Sequence, residues 1–574
     1  MINIIPIPQK ISFSGKKCDV SSLHIKCSDE NISEIFKTLH RQTGKTETSI
    51  VYDAALKGEA YKLDIEDNRI TILYGEPVGA FRAFSTLKQI IAQNENGEVP
   101  QLSAEDYPSL ENRGYMLDIS RGKIPKAEYL KELVDILAEL KYNQLQLYME
   151  SFVFEYKNFP DYWKDTQPLT KEETAELDKY CKERFIQLVP NQNSFGHMSS
   201  WLEKPELSHL AITGSDGKPS STLNPCLDGT LEFIDKIYDG YFDAFSADTV
   251  NIGMDEPIEL GLNETKEICE KEGIGKVYAD YLNKVCGLIL EKYKKRPMFW
   301  DDIIFKHPEQ LANIPKEAVL MQWGYEAEHH FERNCQMIKE KGLKFYVCPG
   351  TSMWNSITGR SNNALVNITS AAECGAYYGA EGFLLTEWGD DGHPQCPFVS
   401  YLPLVLGAAC SWNSGSHNTE IAYGERRNLI SGCKKYLDKF IYKIRNNVSL
   451  ADIVYRMGNY YLLENSLLFN GTELFKFLGT HGGLNPEETA GIGRVFRYMN
   501  DLKDELEKAD ANENALSEIT LGCDLVILAA SIILNKPFDA EEVLQRYKEI
   551  WGKRNHSAGE NIFPDIIRRR ISAL

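Results

Sequence analysis

The chain has 574 residues, enough for three or four domains at roughly 100–200 residues each. Its apolar fraction of 43% and charged fraction of 25% are ordinary for a globular protein. A formal net charge of −20 excludes the basic footprint that nucleic acid or an anionic membrane surface would need, and leaves a neutral substrate open.

The 13 cysteines are odd in number and scattered, with no Cys-x-x-Cys pair. That argues against a zinc ribbon or a thioredoxin-like motif and fits a reducing compartment. The start, MINIIPIPQKISF, lacks a basic segment followed by an apolar run and a small-residue cleavage site. No signal peptide is read there, and a cytoplasmic location is expected. No uninterrupted apolar run approaches the roughly 20 residues of a membrane span, so no membrane partner is expected.

Residues 1–108 mix short strands and helices. SSLHIKCS, EAYKLDIED and RITILYGE alternate like strands, with Asp67-Asn68 as a hairpin turn. PVGAFRAFSTLKQIIAQ follows as an amphipathic helix. This predicts a small accessory α/β domain, with QLSAEDYPSL as a linker.

Residues 109–415 change pattern. The apolar runs GYMLDIS, NQLQLYM, FIQLVPN, TVNIGMD, RPMFWDD, AVLMQWG, KFYVCPG and GFLLTEW recur, usually followed by helical stretches such as PKAEYLKELVDILAELK. Eight such units predict a (β/α)8 TIM barrel, whose strands are buried on both faces. A doubly wound sheet is the alternative, but no Gly-rich phosphate loop follows the first strand. Residues 416–574 read as a helical region for packing or homo-oligomerisation.

In such barrels the chemistry sits at the C-terminal ends of the strands. Those ends carry Asp118 and Arg121, Glu150, Asn191 with Asn193 and His197, Asp255-Glu256, Trp300-Asp301-Asp302, Trp323 with Tyr325, Trp354, and Glu387-Trp388 followed by Asp390, Asp391 and His393; Arg113 stands at the start of the first strand. Carboxylates interleaved with tryptophans suit a sugar, whose hydroxyls need acceptors and whose apolar face packs on aromatic rings. Asp301-Asp302 and Asp390-Asp391-His393 have generic spacing, so neither a metal nor a cofactor is expected. Adjacent Asp255 and Glu256 point in different directions from an extended segment. They cannot easily flank a glycosidic bond as an acid and nucleophile pair, which needs carboxyls about 5–5.5 or about 6.5–9.5 Å apart across the sugar. One can protonate the leaving oxygen while the other orients a substrate group, as in hydrolysis where a 2-acetamido oxygen is the nucleophile.

VNIGMDEP resembles the glycoside hydrolase family 20 signature His/Asn-x-Gly-x-Asp-Glu. RGYMLDISRGKIP and FIQLVPNQNSFGHM resemble that family's first-strand and third-strand segments, and residues 59–90 are similar to its accessory domain. The NIGMDE and SFGHM variants look closest to the hexosaminidase D-like branch. The resemblance implies an exo-acting, retaining β-N-acetylhexosaminidase, whose partner is a glycan ending in N-acetylhexosamine. Glu256 is the implied acid and then base, and Asp255 the residue that holds the acetamido N–H. Arg113 is the implied ligand of the nonreducing hydroxyls, with Asp390 or Asp391 on an outer hydroxyl. Trp300 and Trp388 are the implied walls. Tyr325 is one candidate for the tyrosine that binds the acetamido carbonyl, Trp354 stands in the site where that tyrosine is sought, and Trp323 and His197 complete the expected site. Many members carry Glu and Asp where this chain has Asn191 and Asn193; in them the Asp pairs with the following His. That departure motivates a rival reading as a glycan-binding protein without turnover. Another rival is a barrel glycosidase that works without substrate assistance.

Overall fold

The computed structural model describes residues 2–37, 46–94, 96–417, 422–479 and 484–573. The first domain is a six-stranded sheet in the spatial order Lys10–Asp19, Glu98–Asp106, Tyr61–Glu66, Arg69–Tyr74, Thr46–Tyr52 and Leu23–Cys27. The expected hairpin is present, its turn made by Asn68 at φ 54°, a left-handed position that Asn tolerates better than most residues. Helix Pro77–Ala92 covers the sheet, burying Ala80, Ala83, Leu87 and Ile90 along one face. The expected linker is partly strand. Residues 102–105 pair with both neighbouring strands, and Leu102, Ala104 and Asp106 are buried. Small and polar side chains concealed that alternation.

Eight parallel strands then close into a barrel in chain order: Asn112–Asp118, Gln144–Met149, Gln187–Gln192, Thr249–Asn251, Arg296–Trp300, Val319–Trp323, Lys344–Cys348 and Gly382–Glu387. Each overlaps one of the eight apolar runs: six lie inside theirs, the first begins two residues before its run and the third ends one residue after it. The second and eighth are buried at every position, as strands packed inside and out must be. Helix Phe398–Trp412 is buried along its whole length.

After the barrel, the regular elements among the described residues are helical. They pack on the barrel of the same chain: Arg554 pairs with Glu132 of the first barrel helix at 2.9 Å and with Glu518 at 2.6 Å. Helix Glu513–Ile533 is long and apolar enough to cross a membrane by length and composition, although no uninterrupted apolar run was expected. Glu518 and Asp524 interrupt it in sequence, and 72% of its most apolar window is buried within the protein, in part against helix Pro486–Leu506.

The first domain meets the barrel at the N-terminal ends of the strands through a buried charge cluster. Arg113, expected among the sugar ligands, belongs to it. Its guanidinium contacts Glu59 at 2.6 Å and the carbonyls of Leu110 and Lys141 at 2.8 Å. Arg82 also reaches Glu59, at 2.6 Å. Arg113 begins its strand, so its side chain lies at the end of the barrel away from the catalytic loops. Burial opposes ionisation of Glu59, but Arg113 and Arg82 overcome it and lower its pKa to about 2. A carboxylate lowered on folding stabilises above its unfolded pKa and loses that contribution as pH falls toward about 2. Glu59→Ala would leave two buried cations without their carboxylate, at a cost of about 3–5 kcal/mol by urea denaturation at pH 7. A loss below about 1 kcal/mol, the size of an exposed pair, would contradict this role.

Candidate active site

The C-terminal ends of the strands surround a cavity of about 870 Å³. His197, Asp255, Glu256, Trp300, Trp323, Tyr325, Trp354, Trp388 and Asp390 all line it. Arg113 does not, and Asp391 faces a neighbouring cavity. Arg121, at the other end of the first-strand segment, is the arginine that enters the site.

The loops after the third and fourth strands touch closely, and two glycines permit it. A Cβ on Gly253 would lie 2.6 Å from Asn193 Cγ, and one on Gly196 would lie 2.1 Å from the carbonyl oxygen of Asp255. Gly253, Met254 and Glu256 all have positive φ, of 73°, 78° and 47°. For the two non-glycine residues this is a strained backbone of the kind that persists where surrounding structure over-determines it. Asp302 helps to do so: its Oδ2 accepts from the Glu256 backbone N–H at 3.3 Å. Burial, then the charge of Asp255, pushes the Asp302 carboxyl up to about 7.

The two adjacent carboxylates have different surroundings. Asp255 is buried, with 6% exposure, whereas the Glu256 side chain is 47% exposed toward the cavity. Asn193 Nδ2 donates to Asp255 Oδ1 at 2.7 Å, and His197 Nε2 lies 3.2 Å from Asp255 Oδ2. Burial works against ionisation of Asp255, but His197 and Asn193 outweigh it and hold the carboxyl below the usual range. His197 also lies 3.6 Å from Glu256 and 3.9 Å from Glu150. Burial disfavours its cation, yet Asp255 and then Glu150 raise it to about 9.

The departure on the third strand now has a physical reading. Asn191 turns into the barrel, donating to Gln146 Oε1 at 3.0 Å, and is not among the residues lining the cavity. Asn193 supplies Asp255 with a hydrogen-bond donor. The acid that accompanies His197 comes instead from the second strand, as Glu150, held by Tyr148 Oη at 2.7 Å.

Arg121 is fixed by Asp118 at 2.7 Å and Glu150 at 3.1 Å, with its guanidinium over the rings of Tyr148 and Trp388. Trp388 packs against Trp300, their centroids 5.7 Å apart. Its Nε1 donates to Tyr325 Oη at 2.8 Å, which leaves the tyrosine proton free to donate elsewhere. Trp323 stacks on Tyr325, and Trp354 meets it edge-on, both at 5.0 Å. Trp354 therefore buttresses Tyr325 as well as lining the cavity. Trp300 Nε1, Trp323 Nε1, Gln322 Oε1 and one oxygen of each of Asp301 and Asp302 are buried without a hydrogen-bond partner among the described residues. Buried polar atoms left so are costly in a protein without ligand.

The helical region contributes a segment that sequence reading did not find: Leu467, Leu468, Phe469 and Asn470 line the cavity. Asn470 Oδ1 accepts from Trp354 Nε1 at 2.7 Å, and its backbone N–H donates to Glu326 at 2.8 Å. Glu326 is held in turn by two bonds of 2.9 Å from Arg360. Among the described residues no cluster of three or more His, Cys, Asp or Glu is arranged to hold a metal ion.

Residues 111–381 match the model of the glycosyl hydrolase family 20 catalytic domain, and residues 1–107 match that family's domain 2. The chain belongs to glycosyl hydrolase family 20. It is 25% identical over 308 residues to the β-hexosaminidase α subunit of Bos taurus, covering 50% of this chain and 57% of that protein. It is 24% identical over 352 residues to the β-hexosaminidase β subunit of Entamoeba histolytica, covering 57% of each. The chain thus spans little more than half the length of these curated relatives. Among solved structures, the fold is similar to a chitobiase of Flavobacterium johnsoniae, with TM-score 0.60 and 17% identity over 98% of this chain and 99% of that one. A β-N-acetylhexosaminidase of Bacteroides fragilis gives TM-score 0.61 and 16% identity over 76% and 96%.

The charge arrangement around Asp255 makes a prediction for family member and rival alike. His197 should remain protonated at neutrality and titrate near pH 9 by NMR, with the midpoint falling when Glu150→Gln removes one acid. A raised histidine stabilises the fold fully below its unfolded pKa, near 6.5, and loses that contribution as pH rises through about 9. A midpoint near 6.5 in the unaltered protein would refute the arrangement.

Proposed function

We propose that this protein is an exo-acting, retaining β-N-acetylhexosaminidase that uses the substrate's own acetamido oxygen as nucleophile. The observation that carries this reading is the division of labour between Asp255 and Glu256. One carboxylate is buried, paired with a histidine and held ionised; its neighbour opens to the cavity. A buried fixed charge suits stabilisation of a developing cation, and a cavity-facing carboxyl suits proton transfer.

In this mechanism the terminal sugar sits among Trp300, Trp388 and Tyr325, with Arg121 and Asp390 on its nonreducing hydroxyls. Asp255 accepts the acetamido N–H and orients the acetamido oxygen toward the anomeric carbon. The free hydroxyl proton of Tyr325 donates to that oxygen's carbonyl. As the oxygen attacks, Glu256 protonates the departing glycosidic oxygen and an oxazolinium ion forms. Asp255 offsets its positive charge, helped by Asn193, whose amide keeps the carboxylate in place. Glu256, now a base, removes a proton from water, which opens the ring at the anomeric carbon. Two inversions retain the configuration.

The rival reading without turnover is less favoured, because Asn193 still gives Asp255 a hydrogen-bond donor and Glu150 stands beside His197. The finer likeness to the hexosaminidase D-like branch rests on the NIGMDE and SFGHM segments alone. A cytoplasmic location is part of the proposal, and an odd number of scattered cysteines with no Cys-x-x-Cys pair supports it.

Comparing the aryl β-glycosides of N-acetylglucosamine, N-acetylgalactosamine and glucose tests the mechanism. Cleavage of either acetamido sugar, sensitivity to a thiazoline mimic of the oxazoline and inertness of the glucoside are expected. Comparable cleavage of the glucoside would sink substrate assistance. Glu256→Gln should lower kcat on a poor leaving group by roughly 10²–10⁴-fold, the worth of general acid catalysis. Wild-type turnover by that variant would remove Glu256 from the acid role.

A further inference from the structure

The cavity continues past Trp300 and Trp323 to Phe305, His329 and Asn334. This recess lies at the ends of the fifth and sixth strands, which run side by side with Trp300 paired to Met321 and with Gln322 and Trp323 following. The proposed mechanism brings one substrate group there. A planar trans amide carries its N–H and carbonyl on opposite edges, with its acyl carbon pointing away from the sugar. With the N–H on Asp255, after the fourth strand, and the carbonyl on Tyr325, after the sixth, the acyl chain runs between them toward the recess.

The walls of the recess are polar at fixed points. Gln322 is buried, with 1% exposure, and its amide nitrogen is fully engaged. It donates to the Trp323 carbonyl at 3.2 Å and meets His329 Nε2 at 3.1 Å. Burial, then the neighbouring His330, lowers the His329 pKa to about 4, so the ring is neutral near pH 7 and its Nε2 accepts. Gly324 lets the histidine come this close, since a Cβ there would lie 2.1 Å from His329 Nδ1. The amide is thereby locked with Oε1 left over, buried and without a hydrogen-bond partner among the described residues. Trp300 Nε1 and Trp323 Nε1 are buried and unpartnered in the same way. An acetyl methyl can bond to none of these atoms. A hydroxyl on the acyl carbon both donates and accepts, so it can satisfy Gln322 Oε1 and an indole N–H together. A ligand that leaves buried polar atoms unmatched binds at a cost, which is how such a site rejects the apolar analogue.

We infer that the recess is an N-acyl specificity site, built for a hexosaminide whose N-acyl group carries a terminal hydroxyl, as N-glycolyl does. The glycolyl carbonyl oxygen attacks the anomeric carbon while Glu256 protonates the leaving oxygen. Water then adds at the anomeric carbon and returns its proton to Glu256, and the bond from nitrogen to the acyl group is intact in the product. This rests on the proposed hexosaminidase activity and deepens it by naming the acyl group.

N-Propionyl is the matched control, because it has a methyl where N-glycolyl has a hydroxyl. The hydroxyl also withdraws electrons from the attacking carbonyl, so intrinsic reactivity favours propionyl and a preference for glycolyl must come from the site. The probes are the 4-nitrophenyl β-glycosides of N-acetyl-, N-glycolyl- and N-propionylglucosamine and their galacto epimers, compared by kcat/KM. The expected result is cleavage of the N-glycolyl probe at least about tenfold faster than of the N-propionyl one, a modest ratio for a site that hydrogen-bonds a substrate hydroxyl. Gln322→Met keeps much of the side-chain length but removes the acceptor, and should bring the glycolyl-to-propionyl ratio to within about threefold of unity. A uniform loss of activity leaves that ratio unchanged, and should the variant fail to fold, the ratio in the unaltered protein decides alone. A ratio near unity in the unaltered protein, or turnover of the N-acetyl probe only, would overturn the inference and leave the hexosaminidase reading intact. A tenfold preference that survives Gln322→Met would also overturn it. Failure to cleave any of the probes would overturn the hexosaminidase reading, and the role of the recess with it.

Discussion

The buried carboxylate of Asp255 constrains everything near it. An isolated charge removed from water costs several kcal/mol and would sooner take up a proton than remain ionised. It stays charged because a donor and a cation stand within hydrogen-bonding distance, Asn193 and His197. Both come from the loop after the third strand, so that loop must approach the fourth-strand loop more closely than ordinary side chains allow. Gly253 and Gly196 make room, and Met254 and Glu256 adopt left-handed backbone. The histidine cation in turn draws in Glu150, which draws in Arg121. One desolvated charge thus organises loops from the first four strands.

The barrel separates this network from an equally charged one at its other end. There Glu59, Arg82, Arg113, Lys141 and Asp106 weld the first domain to the strand starts. Two arginines bracket the first-strand segment, and each binds carboxylates. Arg113 meets a carboxylate of another domain and closes an interface. Arg121 meets carboxylates beside an open cavity and so presents its remaining face to whatever enters. The same side chain at the two ends of one strand closes an interface in one place and borders an open cavity in the other.

That contrast bears on how legible the molecule is from sequence. The eight strands could be read because burial on both faces leaves continuous apolar runs, and even the three-residue strand Thr249–Asn251 lay inside one. Asp255 and Glu256 could be read because their neighbours resemble a family signature and their position follows a strand. Arg113 misled because the family resemblance was followed against its own place at the start of the first strand. The rule that chemistry collects at strand C-termini favours Arg121. The role of Glu150 beside His197 could not be read, since it depends on two strands lying side by side. Residues 101–106 passed for a linker because their inward positions carry leucine, alanine and aspartate, a weak alternation that only pairing on both sides makes a strand.

The hardest part to read was the contribution of the helical region. Nothing in the segment LLFNG announces a site, and it lies more than 200 residues beyond Asp255. Its meaning comes from bonds to Trp354, Asn355 and Glu326, which belong to the barrel's sixth and seventh loops. The residues matched by the two family models end at 381. Asp255 and Glu256 therefore lie within the matched residues, whereas residues 467–470 of the cavity wall lie outside them. Because residues 467–470 join the cavity wall from an appended helical region, that rim can vary while the buried Asp255 carboxylate and its partners on the barrel loops stay in place.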